Sequence, residues 1–499
     1  MLLKGIAAVV CRSYADALKK AGEAVKAVVD ITVYSDCFLE EGREELTKLY
    51  QVMSESDLLF LYRSAEEGAW SELETILATA DKPVVWSGYD PAYWPMSTVP
   101  PNIPRKCYAY IMQGGEENFK QMFLMLAADV LQLNITYTEP KEFPGKGIYH
   151  PAARKIFVAT EDYFFWYHKQ QAGFATNPTV GLLFSRCHWV SGNTAVEDSV
   201  IYTLESKGIN VIPVFYRLPA TAGPGTQETG EIIRNYFMPE GKPVISALLK
   251  MMVLDRMDNR TAISGQEITL TELGIPVIQP VAFNFSRDIT WIITMPEFAG
   301  VIEPLQSGGF IRESGGELRL PAEERVNKLA DGVRRWIRLQ RKPAAERRVA
   351  FILHDSAAVE ATTVGGGAQL GSLESVSHIL HAMKMAGYTV EPPAGGKEVL
   401  ETIMAGKASA VYMGVQPRWG WSGSPCDGQV CQILYDPDIP PPHQYMATYK
   451  YLEKQVDVIV HIGARDNPPL LPEKMSRNGY SDVAIGAIPH LYIYNYCFY

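Results

Sequence analysis

The sequence predicts an α/β protein made of several doubly wound parallel-sheet units in one multidomain chain. Its 499 residues correspond to roughly three domains at about 150 residues per domain. The composition, 47% hydrophobic and 20% charged residues, is typical of globular proteins and excludes wholesale disorder or collagen-like structure. Short β-rich runs alternate with segments of helical periodicity along most of the chain, which is the pattern of βαβ units and parallel sheets.

In the first unit, residues 1–140, β-rich runs occur at 5–10, 28–33, 58–62 and 83–86, with helical patterns between them. Residues 138–151 are rich in Pro, Lys and Gly and predict a linker. We expect a second α/β domain over 145–320, with strands at 179–184, 210–215 and 291–294 and a helix at 193–207.

A connecting helix is predicted within 321–348, because Val326, Leu329, Val333 and Trp336 recur at helical spacing. Residues 345–499 then predict the start of a third α/β domain, truncated before completion. Its predicted strands are 349–353, 388–391, 456–461 and 491–494, and its predicted helices are 370–386 and 445–454.

Charge and cysteine content limit the possible functions. The chain carries 46 Lys and Arg against 56 Asp and Glu, a formal net charge of −10, and has no basic run, so we expect no binding to nucleic acid. A local basic pocket for a carboxylated small molecule stays compatible with this charge. No apolar stretch approaches the roughly 20 residues of a membrane helix. Seven scattered cysteines and no evident secretory signal predict a cytoplasmic protein without a disulfide framework.

Several candidate functional residues follow predicted strands. Arg186, His188 and Trp189 come directly after one strand, and His461 ends another. Glu297 lies in a loop just beyond a strand. Ligands of open α/β sheets bind outside the carboxyl ends of the strands, so these positions favour a binding site. A purely structural role is the alternative for each of them.

An aromatic segment, residues 416–431, carries Arg418, Trp419, Trp421 and Asp427 among glycines. Flat aromatic faces beside a guanidinium suit a large planar ligand that bears carboxylates. A buried loop fixed by its tryptophans is the equally compatible alternative. His443 follows three prolines and is interpreted either as a ligand or proton carrier, or as a capping or surface residue.

Taken in order, these stretches resemble the large tetrapyrrole-binding subunit of the ATP-dependent metal chelatases, namely CobN of cobaltochelatase and the H subunit of magnesium chelatase. The resemblance covers nearly the whole chain. Its segments are residues 178–194, 204–215, 295–304, 365–375, 387–388, 414–417, 426–431, 441–445, 461–463 and 489–495.

The resemblance implies insertion of a divalent metal substrate, Co²⁺ or Mg²⁺, into a porphyrin or a corrinoid precursor. ATP would be hydrolysed on separate AAA+ partner subunits and not on this chain. Removal of the pyrrole protons requires a general base, for which His and Glu are suited. The implied base and ligand positions are His461, Glu297, Glu360 and His188, with His461 also as metal ligand. The implied ring contacts are Arg186, His188, Trp189, Arg418, Trp419, Trp421, Asp427 and His443.

The chain departs from the family pattern at three positions suited to proton and metal chemistry. Arg465 stands where the family has a second histidine, Pro469 where it has a glutamate, and Tyr435 where it has a histidine. Arginine is neither a base nor a metal ligand near neutral pH, and proline has no polar side-chain atom.

Three functions therefore stay open. The first is an active chelatase large subunit. The second is a shortened paralogue that only binds a tetrapyrrole, or a split-gene fragment whose missing C-terminal half a separate chain supplies. The third is an unrelated α/β protein of periplasmic or sugar-binding type, which the absent secretory signal and the ordered motifs disfavour.

Overall fold

A computed structural model describes most of the chain. The described residues are 4–36, 43–63, 73, 77, 80–88, 90–170, 173–217, 229–251, 272–281, 302–313, 316–353, 371–405, 411–415, 443–464 and 488–495. Among them, no helix is both long enough and apolar enough to cross a bilayer.

The first unit is a four-stranded parallel sheet with the order β2-β1-β3-β4. Alternate residues of β1 bury opposite faces: Ile6, Ala8 and Val10 contact one apolar core, and Ala7 and Val9 contact the other. Both faces are therefore covered, as a parallel sheet requires. The strands are β1 (Gly5–Val10), β2 (Asp30–Ser35), β3 (Leu58–Arg63) and β4 (Val84–Gly88), and the helices are α1 (Arg12–Val25), α2 (Arg43–Glu55), α3 (Asn102–Gln113) and α4 (Glu116–Asp129).

The second unit is a six-stranded sheet with the order β10-β9-β8-β6-β7-β5. Its strands are β5 (Lys146–Ile148), β6 (Thr179–Ser185), β7 (Asn210–Tyr216), β8 (Ala247–Lys250), β9 (Val277–Val281) and β10 (Ile302–Gln306). Its helices are α5 (Thr160–Tyr167), α6 (Arg186–Val190), α7 (Ala195–Ser206) and α8 (Thr229–Phe237). A hairpin follows, formed by β11 (Gly308–Glu313) and β12 (Gly316–Pro321).

The predicted connecting helix is α9 (Glu323–Arg341), which buries Val326, Leu329, Val333 and Trp336 against the second sheet. The third unit has the strand order β14-β13-β15-β16. In chain order this is the same arrangement as in the first unit. Its strands are β13 (Val349–Leu353), β14 (Val411–Val415), β15 (Val458–Ala464) and β16 (His490–Asn495), and its helices are α10 (Ser372–Met385), α11 (Gly396–Met404) and α12 (His443–Gln455). Short 3-10 helices occupy Pro91–Met96, Pro239–Gly241 and Ala344–Glu346.

Three parallel-sheet units in a multidomain α/β chain are therefore confirmed, with two differences in detail. Strand β5 pairs with β7 in the antiparallel direction, and the β11–β12 hairpin is antiparallel. The segment 138–151, predicted as a linker, carries β5. It is also fastened to α4 by two hydrogen bonds of 2.8 Å between the Asn118 side-chain amide and the Lys141 backbone.

The prediction of a strand at 388–391 was wrong. Residues 388–391 form no strand, although Val390 is buried. Pro392 and Pro393 follow and lack the N–H groups that a ladder requires. The Thr389 hydroxyl donates instead to the Ala345 carbonyl at 2.8 Å, which holds this segment as a loop. The predicted strand 291–294 lies outside the described residues.

Gly114, which ends α3, gives a test of how the first unit contacts α6. Its φ is +70°, and a Cβ added there would lie 2.5 Å from Cβ of Val190. We expect Gly114→Ala to reduce the free energy of unfolding by about 2–4 kcal/mol, because backbone strain and an overpacked contact add together. Urea denaturation measures this loss.

The matched control is Gly192→Ala, since Gly192 has a φ of +68° but no atom within 4 Å of the added Cβ. It introduces the backbone strain alone, and we expect it to lower the free energy of unfolding by about 1 kcal/mol. Equal losses for Gly114→Ala and Gly192→Ala would contradict the close contact.

Candidate functional site

The candidate site lies where β6 ends and α6 begins. In the second sheet, β7 lies on one side of β6 and β8 on the other, so the chain reverses its direction of strand addition at β6. Open α/β sheets bind ligands at such a switch point, outside the carboxyl ends of the strands. Ser185 begins α6 there by accepting a hydrogen bond from the Cys187 amide at 3.2 Å. His188 is thereby placed one turn beyond the strand.

His188 belongs to a buried polar triad. Its Nδ1 lies 2.8 Å from Oε1 of Glu197, and the His188 side chain is 20% exposed. Arg319 on β12 holds the same carboxylate with two nitrogens, Nη1 at 2.5 Å from Oε2 and Nη2 at 2.9 Å from Oε1. The Glu197 side chain is fully buried, and that of Arg319 is 2% exposed.

Glu197 is ionised in this arrangement. Burial alone would raise its pKa, but the Arg319 and His188 charges and their hydrogen bonds lower the pKa to about 2. Its place in the first turn of α7 adds the favourable end of the helix dipole. A charge buried this completely requires such a partner. The triad therefore contains a fixed carboxylate–guanidinium pair.

The same carboxylate fixes the proton position of His188. An ionised carboxylate only accepts hydrogen bonds, so Nδ1 of His188 carries the proton and donates to Glu197. Burial, followed by the nearby Arg319 charge, lowers the pKa of His188 below its usual value, despite the opposing effect of Glu197. The neutral ring then has an unprotonated Nε2 on its other side. A histidine held by a carboxylate in this way is arranged as a base or as a metal ligand.

Arg186 is placed as a structural bridge. It is 4% exposed and donates to four backbone carbonyls, those of Met112, Gln113, Phe143 and Pro144, at 2.6–3.3 Å. Two of these carbonyls end α3, where a cation complements the helix dipole. Burial lowers the pKa of Arg186 to about 10, which leaves it charged at pH 7. A contact between Arg186 and a carboxylate of a bound tetrapyrrole stays a prediction.

Trp189 is partly exposed and packs on aromatic neighbours. Its ring stacks on Phe215 with centroids 4.4 Å apart and an interplanar angle of 18°. Phe143 meets it edge-on at 5.9 Å. One face of the indole is therefore covered by Phe215. Stacking of a ligand on Trp189 stays a prediction.

The prediction that His461 ends its strand was wrong. Strand β15 continues to Ala464 and pairs with β13 and β16 on either side, so His461 lies in the middle of the strand, in the interior of the third unit. It is 0% exposed, and its Nε2 lies 2.9 Å from Nδ1 of His490 on the adjacent strand. The two imidazoles stack at 5.2 Å, and Tyr449 of α12 stacks on His461 at 6.0 Å. This contact requires one of the two facing nitrogens to be unprotonated. The roles of His461 as base and metal ligand stay predictions.

The other predicted site residues are not brought together by the described structure. His443 is the exposed first residue of α12. Glu297, Glu360, Arg418, Trp419, Trp421 and Asp427 lie outside the described residues, as do Tyr435, Arg465 and Pro469. Within the described ranges, no cluster of three or more His, Cys, Asp or Glu side chains is arranged to hold a metal ion.

Sequence reasoning missed Glu197 and Arg319. Glu197 carried a usable signal, because it precedes Ile201 and Leu204 at helical spacing and so shares the apolar face of α7. A charge on a buried face predicts a partner. The identity of that partner, 122 residues away in sequence, had no local signal.

Comparison with known proteins decides the family. The sequence profile described as CobN/Magnesium Chelatase matches residues 108–412 and 407–497, most of the chain. The chain belongs to this family. An uncharacterized protein of Methanocaldococcus jannaschii is 32% identical across 97% of the chain. The magnesium-chelatase H subunit of Chlorobaculum parvum is 24% identical across 80% of it, and the aerobic cobaltochelatase CobN subunit of Pseudomonas aeruginosa is 24% identical across 81%.

The fold is also that of a solved family structure. The catalytic subunit of cobaltochelatase from Mycobacterium tuberculosis aligns with 98% of this chain at a TM-score of 0.56 and 19% identity. This chain covers 46% of that structure, and 45%, 37% and 37% of the three sequence relatives. It therefore spans less than half the length of these relatives.

From the triad we can predict how the free energy of unfolding of this protein depends on pH. The pKa of Glu197 is lowered from 4.5 to about 2. The ionised carboxylate therefore stabilises the folded protein fully above pH 4.5, and this stabilisation is lost as the pH falls towards 2. The full effect is roughly 3 kcal/mol. The lowered pKa of His188 also makes the folded protein less stable as the pH falls. In the unfolded chain this histidine takes up a proton at about pH 6.5, whereas the folded protein takes it up only at a lower pH, so protonation favours unfolding. Urea unfolding at pH 7, 5, 4 and 3 measures both effects.

Glu197→Gln is the matched variant, since it keeps the shape of the side chain and removes its charge. We expect it to lose about 3–5 kcal/mol at pH 7, because Arg319 is then buried without its counter-charge. The stability difference from the unsubstituted protein should shrink between pH 5 and pH 3. A constant difference across this range would show that Glu197 does not titrate as the triad requires.

Proposed function

We propose that this chain is the tetrapyrrole-binding large subunit, or part of one, of a cobalto- or magnesium-chelatase type enzyme. It would hold a porphyrin or corrinoid precursor and accept Co²⁺ or Mg²⁺ as substrate, while AAA+ partner subunits hydrolyse ATP. A cytoplasmic location belongs to the proposal, consistent with the free Cys11, Cys107 and Cys187 in the described structure.

The orientation of His188 carries this proposal. Metal insertion requires removal of two pyrrole protons, and a base needs an unprotonated nitrogen directed away from its supporting carboxylate. The Glu197 contact at 2.8 Å leaves Nε2 in that state at the switch point of the second sheet. The protonated ring would be stabilised by Glu197 and opposed by Arg319, so that the imidazole can both accept and release a proton. His188 would thus be the catalytic base.

A second candidate is a subunit that binds the ring without inserting metal. The burial of His461 beneath Tyr449 favours it, because a fully buried imidazole contacts no substrate in this conformation. Arg465, Pro469 and Tyr435 also lack the chemistry of the residues that they replace. Both candidates share ring binding and differ in the proton step.

The test is a comparison of His188→Ala with the unsubstituted protein. Ring binding is followed by tryptophan quenching with protoporphyrin and with hydrogenobyrinic acid diamide, and metal insertion is followed by absorbance with partner subunits, ATP and Co²⁺ or Mg²⁺. We expect the affinity of His188→Ala for either tetrapyrrole to stay within about twofold of that of the unsubstituted protein. The rate of metal insertion should fall about 100-fold or more, as for loss of a general base.

The exposed His168 supplies the control variant His168→Ala, which should change neither quantity. Unchanged insertion by His188→Ala would contradict the role of His188. Ring binding without insertion by the unsubstituted protein, with all partners present, would select the second candidate. No quenching by either ring would remove both.

A further inference from the structure

A basic pocket lies at the opposite edge of the second sheet from His188. Its volume is about 540 Å³. It opens beside the residues that precede β6 and β7, and it is bounded by the last turns of α9. Strands of seven residues separate the two edges by roughly 20 Å. The pocket is therefore distinct from the His188 site.

The charge of this pocket is opposite to that of the chain. Five cationic side chains and one carboxylate line it: Lys207, Arg334, Arg338, Arg341, Lys342 and Glu346. The whole chain has a net charge of −10. The local excess of positive charge attracts an anion, because charges of one sign are concentrated in a concave space.

Helix geometry gathers three of the cations on one face. Arg334, Arg338 and Arg341 are spaced four and three residues apart on α9, so they project from the same side of the helix. The apolar face of α9, which includes Val333 and Trp336, packs on the second sheet. The guanidinium groups are thereby held at the pocket and kept out of the core.

Two of the cations are not neutralised by described residues. Lys207 pairs with Asp331 at 2.8 Å, and Lys342 pairs with Asp457 at 2.6 Å. Arg338 and Arg341, both exposed, make no side-chain hydrogen bond or ion pair within the part of the chain that the structure describes. Their donors are available to a ligand.

We propose that this pocket binds the polyphosphate group of a nucleoside di- or triphosphate. Guanidinium groups match phosphate oxygens with two parallel hydrogen bonds each. The stretch from Arg334 to Arg341 is about 10 Å long, which suits a short phosphate chain better than an extended acidic protein segment. Pro178, Ile209 and Ile337 contribute the apolar part of the lining, and the volume is that of a small-molecule site.

This inference does not depend on the proposed chelatase function, because the pocket is distinct from the His188 site and the ligand would be bound without being hydrolysed. Binding is measured by calorimetry on the full chain with ATP, ADP, tripolyphosphate and adenosine, at 50 and 300 mM salt. We expect ATP and ADP to bind, adenosine not to bind, and high salt to weaken binding. Tripolyphosphate competing with ATP would support recognition through the phosphates.

The variants Arg338→Glu and Arg341→Glu should each weaken ATP binding at least about tenfold, which corresponds to about 1.4 kcal/mol. Neither side chain has a hydrogen-bond or ion-pair partner to lose within the described structure, so each variant should still fold, although both positions lie in the last turn of α9, where a cation complements the helix dipole. The control is Arg154→Glu, an equal charge change at an exposed arginine that does not line the pocket, which should alter affinity less than about twofold.

Three results would overturn the proposal: no ATP binding at millimolar concentration, equal affinity in Arg338→Glu and the control, or binding of adenosine as tight as that of ATP. Competition by a polyglutamate peptide together with no binding of tripolyphosphate would also overturn it, and would assign the basic surface to an acidic protein partner instead.

Discussion

The buried contact between Glu197 and Arg319 is the interaction on which the candidate site depends. Two buried charges are stable in the interior only as a well hydrogen-bonded pair, and the bidentate contacts of 2.5 and 2.9 Å meet that requirement. The pair joins α7 to β12, so the hairpin is fixed to the second sheet. It also holds an ionised carboxylate beside His188, and the proton position of the imidazole follows from that charge.

The fold brings these groups together from separate stretches of sequence. Strand β6 places α6 at its carboxyl end, and the next helix begins only five residues later with Glu197 in its first turn. Arg186, at the start of α6, joins the second unit to the carbonyls that end α3. The neighbouring residues Arg186 and His188 therefore have different roles: one holds two units together, and the other presents a nitrogen at the sheet edge.

The architecture could be predicted from sequence because it depends on local periodicity. The spacing of Val326, Leu329, Val333 and Trp336 predicted α9, and the β-rich runs predicted the parallel strands. The failure at 388–391 shows the limit, since β-rich residues form no strand when prolines follow and side chains bind another segment. The site could be predicted only in part. His188 follows from its place after a strand, but Arg319 depends on a contact between residues 122 positions apart, which no local pattern records.

The state of the His188 ring is the central physical claim, and ¹⁵N NMR of histidine-labelled protein measures it most directly. The account predicts a neutral ring at pH 7 with the proton on Nδ1 and a bare Nε2, and a loss of that preference in Glu197→Gln. A ring protonated on Nε2, or a doubly protonated ring at pH 7, would contradict the account, because neither leaves Nε2 free to take a proton or a metal.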